Sequence, residues 1–199
     1  MPPTSRQRQK LATRAAILRV AAEEFDAKGY VGTAISDIAT RLELTKGSVY
    51  FHFPSKAQLA AVTVDAYFRM WDPVLEEVQT RGLTGLEAMR QVSHRVAAVY
   101  RDDVAVRAAV RLMRESALID ADLPTPFVGW MRVVRTYLDQ AVGAGTLRGG
   151  LDLDAVAWHV VATFFGVQEV SHQLDDRAGL ERRIDMLWDL LLPGIAAPR

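Results

Sequence analysis

The chain contains no cysteine, which excludes disulfides, thiolate-bound zinc and cysteine nucleophiles. No apolar run approaches the ~18 residues of a membrane span, and the opening Met1-Pro2-Pro3-Thr4-Ser5-Arg6 lacks the apolar centre of a secretory signal. The expectation is a cytoplasmic protein with no membrane partner. Nowhere do apolar and polar residues alternate for long enough to make a strand, whereas helical spacing recurs throughout, so the expected fold class is all-α. Histidine is scarce as well: there are four, scattered along the chain. A G-x-S-x-G nucleophile elbow and a phosphate-binding glycine loop are both missing. Glu169 and His172 have the E-x-x-H spacing of di-iron helical bundles, but the second copy that such a site requires is absent. The sequence therefore reads as no enzyme, with no catalytic residues, cofactor or metal site. A helical-bundle metalloenzyme is the rival from another class.

What is present is an ordinary globular balance, 50% hydrophobic and 24% charged residues in 199, enough for one domain or two unequal ones. The formal net charge is zero, yet every lysine (Lys10, Lys28, Lys46, Lys56) lies in the first 56 residues. With Arg6, Arg8, Arg14, Arg19 and Arg41, that segment holds nine positive side chains against five negative ones, Glu23, Glu24, Asp26, Asp37 and Glu43. A basic lobe joined to an acidic body suits a face that meets a polyanion.

Helical signals divide the chain. A first helix over 7–28 places Leu11, Ile17, Leu18, Ala21, Ala22 and Phe25 on one side and stops at Gly29. Two short helices follow, one capped by Thr33 and carrying Ile35, Ile38, Ala39 and Leu42, the other capped by Thr45 and running to about Phe51 before Pro54. Ser55-Lys56-Ala57-Gln58 has capping-box spacing and opens a long helix to about Val78, and Thr84-Gly85-Leu86-Glu87 repeats the device. Further helices are expected over 84–100, 103–116, 127–144, 152–174 and 178–192, with a glycine turn over 143–150.

Thr33 to Phe51 has the form of a helix-turn-helix, two short helices whose second presents polar and small residues to a DNA groove. Val49 faces inward there, and Thr45, Lys46, Gly47, Ser48 and Tyr50 face outward. A helical glycine costs about 1 kcal/mol relative to alanine, so Gly47 suggests close approach of backbone to something outside, with DNA the obvious candidate. Three segments, Phe25-Asp26-Ala27-Lys28-Gly29-Tyr30, Thr33-Ala34-Ile35-Ser36-Asp37-Ile38-Ala39 and 44–56 with Thr45-Lys46-Gly47-Ser48-Val49-Tyr50-Phe51-His52-Phe53-Pro54-Ser55-Lys56, resemble the TetR family of repressors. That resemblance implies a DNA-binding domain over 1–54 and a helical effector-binding and dimerisation domain over 55–199. It further implies that Thr45, Lys46, Tyr50, His52 and Lys56 contact operator phosphates, that Lys46, Gly47 and Ser48 lie nearest the base edges, and that Thr33 and Ser36 begin a helix that also meets the backbone. Each has a blander reading as a cap or a packing residue.

In the second half, Arg111-Leu112, Leu123-Pro124-Thr125-Pro126-Phe127-Val128-Gly129-Trp130 and Ala162-Thr163-Phe164-Phe165-Gly166-Val167-Gln168, together with Tyr50-Phe51-His52-Phe53, are similar to the γ-butyrolactone-type receptors and their butenolide- or furan-sensing relatives. The resemblance implies a pocket beside Trp130 and release from a pseudo-palindromic operator when a small effector binds. Small-molecule pockets are mostly apolar with a few placed polar groups. Phe68, Trp71, Phe127, Phe164 and Phe165 offer walls, and Tyr67, Thr163 and Gln168 offer hydrogen bonds, although aromatics at helical spacing, Trp130 aside, are more often core. A repressor that kept this fold and lost its ligand is the alternative within the family. Val156, Val160, Val161, Phe164 and Val167 on one helix, and Ile184, Leu187, Trp188 and Leu191 on the next, form apolar stripes. By the resemblance these pair two copies into a homodimer; by pattern alone they serve equally as the monomer's core.

Overall fold

The computed structural model describes residues 4–68 and 71–198. The regular elements among them are helical: α1 (Ser5–Gly32), α2 (Ile35–Arg41), α3 (Lys46–His52), α4 (Lys56–Phe68), α5 (Trp71–Thr80), α6 (Gly85–Asp102), α7 (Val104–Arg114), a 3₁₀ turn (Ser116–Leu118), α8 (Val128–Gly143), α9 (Leu153–Asp175) and α10 (Leu180–Ile195). The all-α expectation holds. The single helix expected over 55–78 is seen as α4 and α5, and its continuity at residues 69 and 70 lies outside the described residues. No described helix is long and apolar enough to cross a membrane.

The helices sort into two compact units. One takes the chain to residue 70 and then 103–126; the other takes 71–102 and the chain from 127 onward. In the first unit α1 is the spine. It begins earlier than expected because Thr4 and Gln7 make a reciprocal capping box, the Thr4 hydroxyl accepting from the Gln7 amide at 3.3 Å and the Gln7 side chain accepting from the Thr4 amide at 2.7 Å. Its apolar side runs through Ile17, Val20, Ala21 and Phe25, all buried. Leu11, expected with them, is 61% exposed. The helix breaks at Gly29, which adopts φ +72°, a left-handed conformation that favours glycine. A side chain there would also meet Glu115 Oε1 at 2.6 Å.

Ile38, Val49, Phe53, Leu59 and Val64 bring α2, α3 and α4 onto this spine, and Val106, Ala109 and Leu112 bring α7. Asp103 starts α7 by accepting from the Ala105 amide at 2.7 Å. The cap expected at Thr33 is different. Thr33 is the C-cap of α1, its hydroxyl donates back to Gly29 O at 2.7 Å, and α2 starts from Ala34 without a side-chain cap.

In the second unit, α8 and α9 pack together, α6 packs on α8, and α10 packs on α6 and α9. Asp152 caps α9 by accepting from the Asp154 and Ala155 amides. Asp185 on α10 is gripped from α6 by Arg90 at 2.9 Å and His94 at 2.8 Å, Arg90 foremost in holding its carboxyl below the usual range. The turn over 143–150 joins the chain end through Arg148 N to Ile195 O (2.8 Å) and Ala197 N to Thr146 O (2.9 Å).

Candidate functional site

Two short helices joined by a tight turn expose one face of the first unit. The turn closes by Glu43 N to Thr40 O and Leu44 N to Ala39 O, with Glu43 at φ +55°. The Thr45 hydroxyl then accepts from the Ser48 amide at 3.1 Å and lies 2.9 Å from Ser48 Oγ, which fixes the start of α3. Val49 is fully buried and sets the helix roll, so Thr45, Lys46, Gly47 and Tyr50 are exposed and Ser48 is half-buried. A Cβ on Gly47 would come no closer than 3.7 Å to Thr45 Oγ1. Nothing inside the protein therefore requires glycine at that position.

The other expected residues are placed less simply. Ser36 is half-buried and donates to Asp37 Oδ1 at 3.3 Å. Thr33 is buried, so its side chain leaves the expected contact set. Lys56 donates from Nζ to Tyr30 O (2.9 Å) and Thr33 O (3.1 Å) and sits 4.3 Å from the Tyr30 ring centre, which commits two of its three donors within the protein. From the other side Glu115 accepts from the Tyr30 amide at 2.6 Å and Arg111 donates to Asp26 O at 2.6 Å, so the corner between α1 and α2 is clamped by α4 and α7 together. His52 is half-buried with Nδ1 enclosed and unpartnered; burial first, then the charges of Lys10 and Arg14, push its pKa down.

The excess positive charge resolves into two groups. Lys28 pairs with Glu24 (2.6 Å) and Asp37 (3.4 Å), Arg41 pairs with Glu24 (2.9 Å) and Glu23, and Arg19 pairs with Glu23 (2.8 Å). Glu24 is accordingly held below the usual carboxylate range, by Lys28 first, against its burial, and then by Arg41. Arg6, Arg8, Lys10, Arg14 and Lys46 make no ion pair among the described residues. Lys10 lies 5.0 Å from the Phe51 ring centre and Arg14 lies 4.6 Å from that of Phe53, so this group borders the end of α3. Sequence reasoning counted these two cations without assigning them to the face. The signal was their i, i+4 spacing on the outward side of α1.

In the second unit a cavity of about 40 Å³ lies between Met89, Val92, Ser93 and Val96 of α6, Trp130, Val133, Val134 and Tyr137 of α8, and Val160, Val161, Phe164 and Phe165 of α9. Trp130 packs edge-on against Trp71, ring centres 4.9 Å apart. Of the other expected ligand contacts, Phe164 and Phe165 line this cavity, and Phe127, in a left-handed conformation at the start of α8, packs tilted against Phe165 with ring centres 4.5 Å apart. Gln168 is buried but is not in the lining. Thr163 turns to a different groove and donates to His159 O. Tyr67 and Phe68 belong to the first unit, packed edge-to-face on each other.

That other groove, about 460 Å³, runs along α9 and α10 between Thr163, Gly166, Val167, Val170, Arg183, Met186, Leu187 and Leu190. Two residues of the expected pairing stripe, Val167 and Leu187, line it. Val160, Phe164, Ile184 and Trp188 are buried in the protomer's own core, while Leu191 is half-buried. Val170, Leu174, Met186 and Leu190 stand out instead, Leu190 at 79% exposure. Two adjacent apolar faces, one inward and one outward, give no contrast in a hydrophobicity pattern.

Residues 17–63 match the family model of bacterial regulatory proteins, tetR family, and residues 83–197 match the tetracyclin repressor-like C-terminal domain. The A-factor receptor protein of Streptomyces griseus is 30% identical over 194 residues, which cover 98% of this chain and 67% of that one. A crystal structure of a gamma-butyrolactone receptor, an ArpA-like protein, superposes with a TM-score of 0.82 at 29% identity, covering 94% of this chain and 90% of the other. The TetR family protein CprB from Streptomyces coelicolor, in complex with its biological operator sequence, superposes with a TM-score of 0.84 at 29% identity and the same coverage.

Proposed function

We propose, from the premise that this chain belongs to the TetR family of bacterial regulatory proteins and is a DNA-binding repressor of that type, that it leaves a pseudo-palindromic operator when a γ-butyrolactone, butenolide or furan signal binds its second unit. The observation that carries the reading is α3 itself. Its roll is locked by Val49, its start is capped by Thr45, its glycine has no internal cause, and unpaired cations border its end. Lys46, Gly47 and Ser48 meet the base edges; Thr45, Tyr50 and His52, joined by Lys10 and Arg14, meet phosphates, with Ser36 at the margin. Lys56 acts chiefly by holding the corner, and its remaining donor serves a phosphate. In functional terms residues 1–54 bind DNA and 55–199 bind effector and partner copy, in the cytoplasm, where the operator is. No catalytic step is assigned.

A homodimer follows from the exposed faces of α9 and α10, because two-fold proteins offer two recognition helices to half-sites about 34 Å apart. Moving the operator from 99% to 1% occupied requires a ligand preference of about 10⁴-fold for the released form. The route for that energy is in the connectivity. The chain enters the first unit at residue 103 and leaves it at 126, and between them α7 carries Arg111 and Glu115, which clamp the end of α1. A ligand that shifts the chain at either crossing acts on the corner that orients α2 and α3.

The test is a mobility-shift assay on DNA flanking the protein's own gene, with and without synthetic γ-butyrolactones. Retarded DNA released by one of them is expected. DNA that is never retarded overturns the operator reading. A second reading, a repressor without such a ligand, is favoured by one observation: a cavity of about 40 Å³ is far below the ~300 Å³ at which ligand pockets begin. Retention on DNA with every lactone would choose it.

A further inference from the structure

We infer that the effector site is bipartite, with the inner cavity taking only an apolar chain, an outer cavity on the other side of Val133 and Tyr137 taking a neutral polar head, and the Tyr137 ring forming the movable partition between them. This rests on the ligand reading above. It begins from a mismatch: the inner cavity is about 40 Å³, enough for a water molecule or a methylene or two. Its hydroxyl at Ser93 is already committed to Met89 O at 2.7 Å. A ligand with a hydrogen-bonding ring has too little room there, and a poor reception for its polar atoms.

Next to it, the end of α5, the turn into α6 and the outer side of α8 border a half-open space of about 340 Å³, a ligand-sized volume. Val133 and Tyr137 line both spaces. The outer cavity has what the inner one lacks. Gln79, Thr84 and Gln140 supply amides and a hydroxyl among the apolar side chains of Leu75 and Leu83, while the Thr136 hydroxyl, like that of Ser93, donates within its own helix, to Arg132 O at 3.0 Å. Its lining carries no formal charge, which suits a lactone, ester or alcohol and gives a carboxylate no counter-ion. The far wall is fixed. Gln140 Oε1 accepts from the Gly85 amide at 3.1 Å, and Gly85, at φ +57°, lies so near Ala141 that a Cβ would approach its Cα to 3.3 Å. With that wall pinned and the polar lining at the surface, the movable part is the Tyr137 ring. A rotamer change opens it without breaking a helix.

The probe is γ-decalactone, a neutral five-membered lactone with a six-carbon chain, titrated against the full-length dimer by stopped-flow tryptophan fluorescence, since Trp130 lines the inner cavity. Wild type is expected to bind it and to bind decanoate at least about tenfold more weakly, roughly 1.4 kcal/mol. Tyr137→Ala should raise the association rate about tenfold while changing the dissociation constant less, as removing a gate does; Tyr137→Phe should match wild type. Thr136→Trp, at an exposed position, should fill the outer cavity and weaken binding at least about tenfold with folding intact by circular dichroism. A wild-type protein indifferent to the lactone overturns the partition together with the ligand reading. Lactone binding that Thr136→Trp leaves unaltered, association that Tyr137→Ala does not accelerate, or equal affinity for decanoate overturns the partition alone.

Discussion

Two surfaces, the α3 face of the first unit and the α9–α10 face of the second, both keep in water side chains that folding had the means to bury, and their chemistry is opposite. Around α3 the groups in water are the exposed Thr45, Lys46, Tyr50 and bordering Lys10, with Arg14 half-buried beside them, donors and cations held at fixed positions by caps and a single buried valine. Along α9 and α10 they are Val170, Leu174, Met186 and Leu190, with little to direct them. A polyanion is attracted at long range and then positioned by individual donors. A second protomer is held by area, with no direction. One surface is therefore sensitive to single atoms and the other to total apolar contact.

The largest effects should come from α10, where an exposed apolar face and the core are adjacent. Trp188 is 1% exposed, so Trp188→Ala should destabilise the fold by about 3–5 kcal/mol, read as an early unfolding midpoint in urea. Leu190→Arg, two residues on, should leave secondary structure intact but halve the mass at micromolar concentration and weaken operator binding by more than about 100-fold, roughly 2.7 kcal/mol. A dimeric Leu190→Arg protein with normal operator affinity would remove the α9–α10 face from the comparison.

Next in size are the cations. Lys46→Ala should weaken binding to all DNA sequences alike and lower the salt slope by about one unit. Lys28→Ala should leave the slope unchanged, because Lys28 is already paired with Glu24 and Asp37. Equal slopes for the two variants would show that ion pairing within the lobe does not decide which cations meet DNA. Losing Lys28 also leaves Glu24 with Arg41 as its one partner and so weakens a lowered pKa that stabilises the fold above the ordinary glutamate range, an effect lost as pH falls through the lowered value.

How much of this was readable beforehand divides along the same line. The α3 face was legible because its signals are local: Thr45 three residues before Ser48, a glycine inside a helix, Pro54 beyond the end. Even there Thr33 misled, since a threonine after a glycine break serves equally as the C-cap of one helix or the N-cap of the next, and the choice depended on Gly29 O being within reach. The second unit was legible as helices and poorly legible as sites. Val160 and Val167, or Leu187 and Leu190, have the same hydrophobicity; which faces inward is set by the roll of α9 and α10 against α6 and α8, long-range information carried by pairs such as Arg90 with Asp185. The small volume beside Trp130 could not be read at all, because a cavity is what packing leaves behind.

A finer test of the α3 face is Gly47→Ala. The added methyl meets nothing closer than 3.7 Å, and alanine favours the helix by up to about 1 kcal/mol. The variant should therefore be slightly more stable by thermal melting and bind operator several-fold more weakly. Full operator affinity in a stabilised variant would mean that Gly47 is not a point of backbone approach, and the glycine would have no explanation on either side.

The smallest effect is in pH, and its two signs separate the protein's own charges from those of DNA. His52 is pushed below the ordinary histidine value by burial and by Lys10 and Arg14, so the unfolded chain takes up a proton first. Stability from this group is present above pH ~6.5 and is lost as pH falls from there through the lowered value. Operator phosphates act in the opposite direction. Brought near His52, they favour the imidazolium, so binding should take up a fraction of a proton and tighten as pH drops through the same window. His52→Gln should remove both trends at once, the falling stability and the rising operator affinity, leaving the neutral-pH affinity within a few-fold of wild type. Affinity measured at constant ionic strength from pH 7.5 down to 5.5 decides it. If affinity falls with stability in the wild type, His52 does not meet phosphate, and the positive group bordering α3 ends at Lys10 and Arg14.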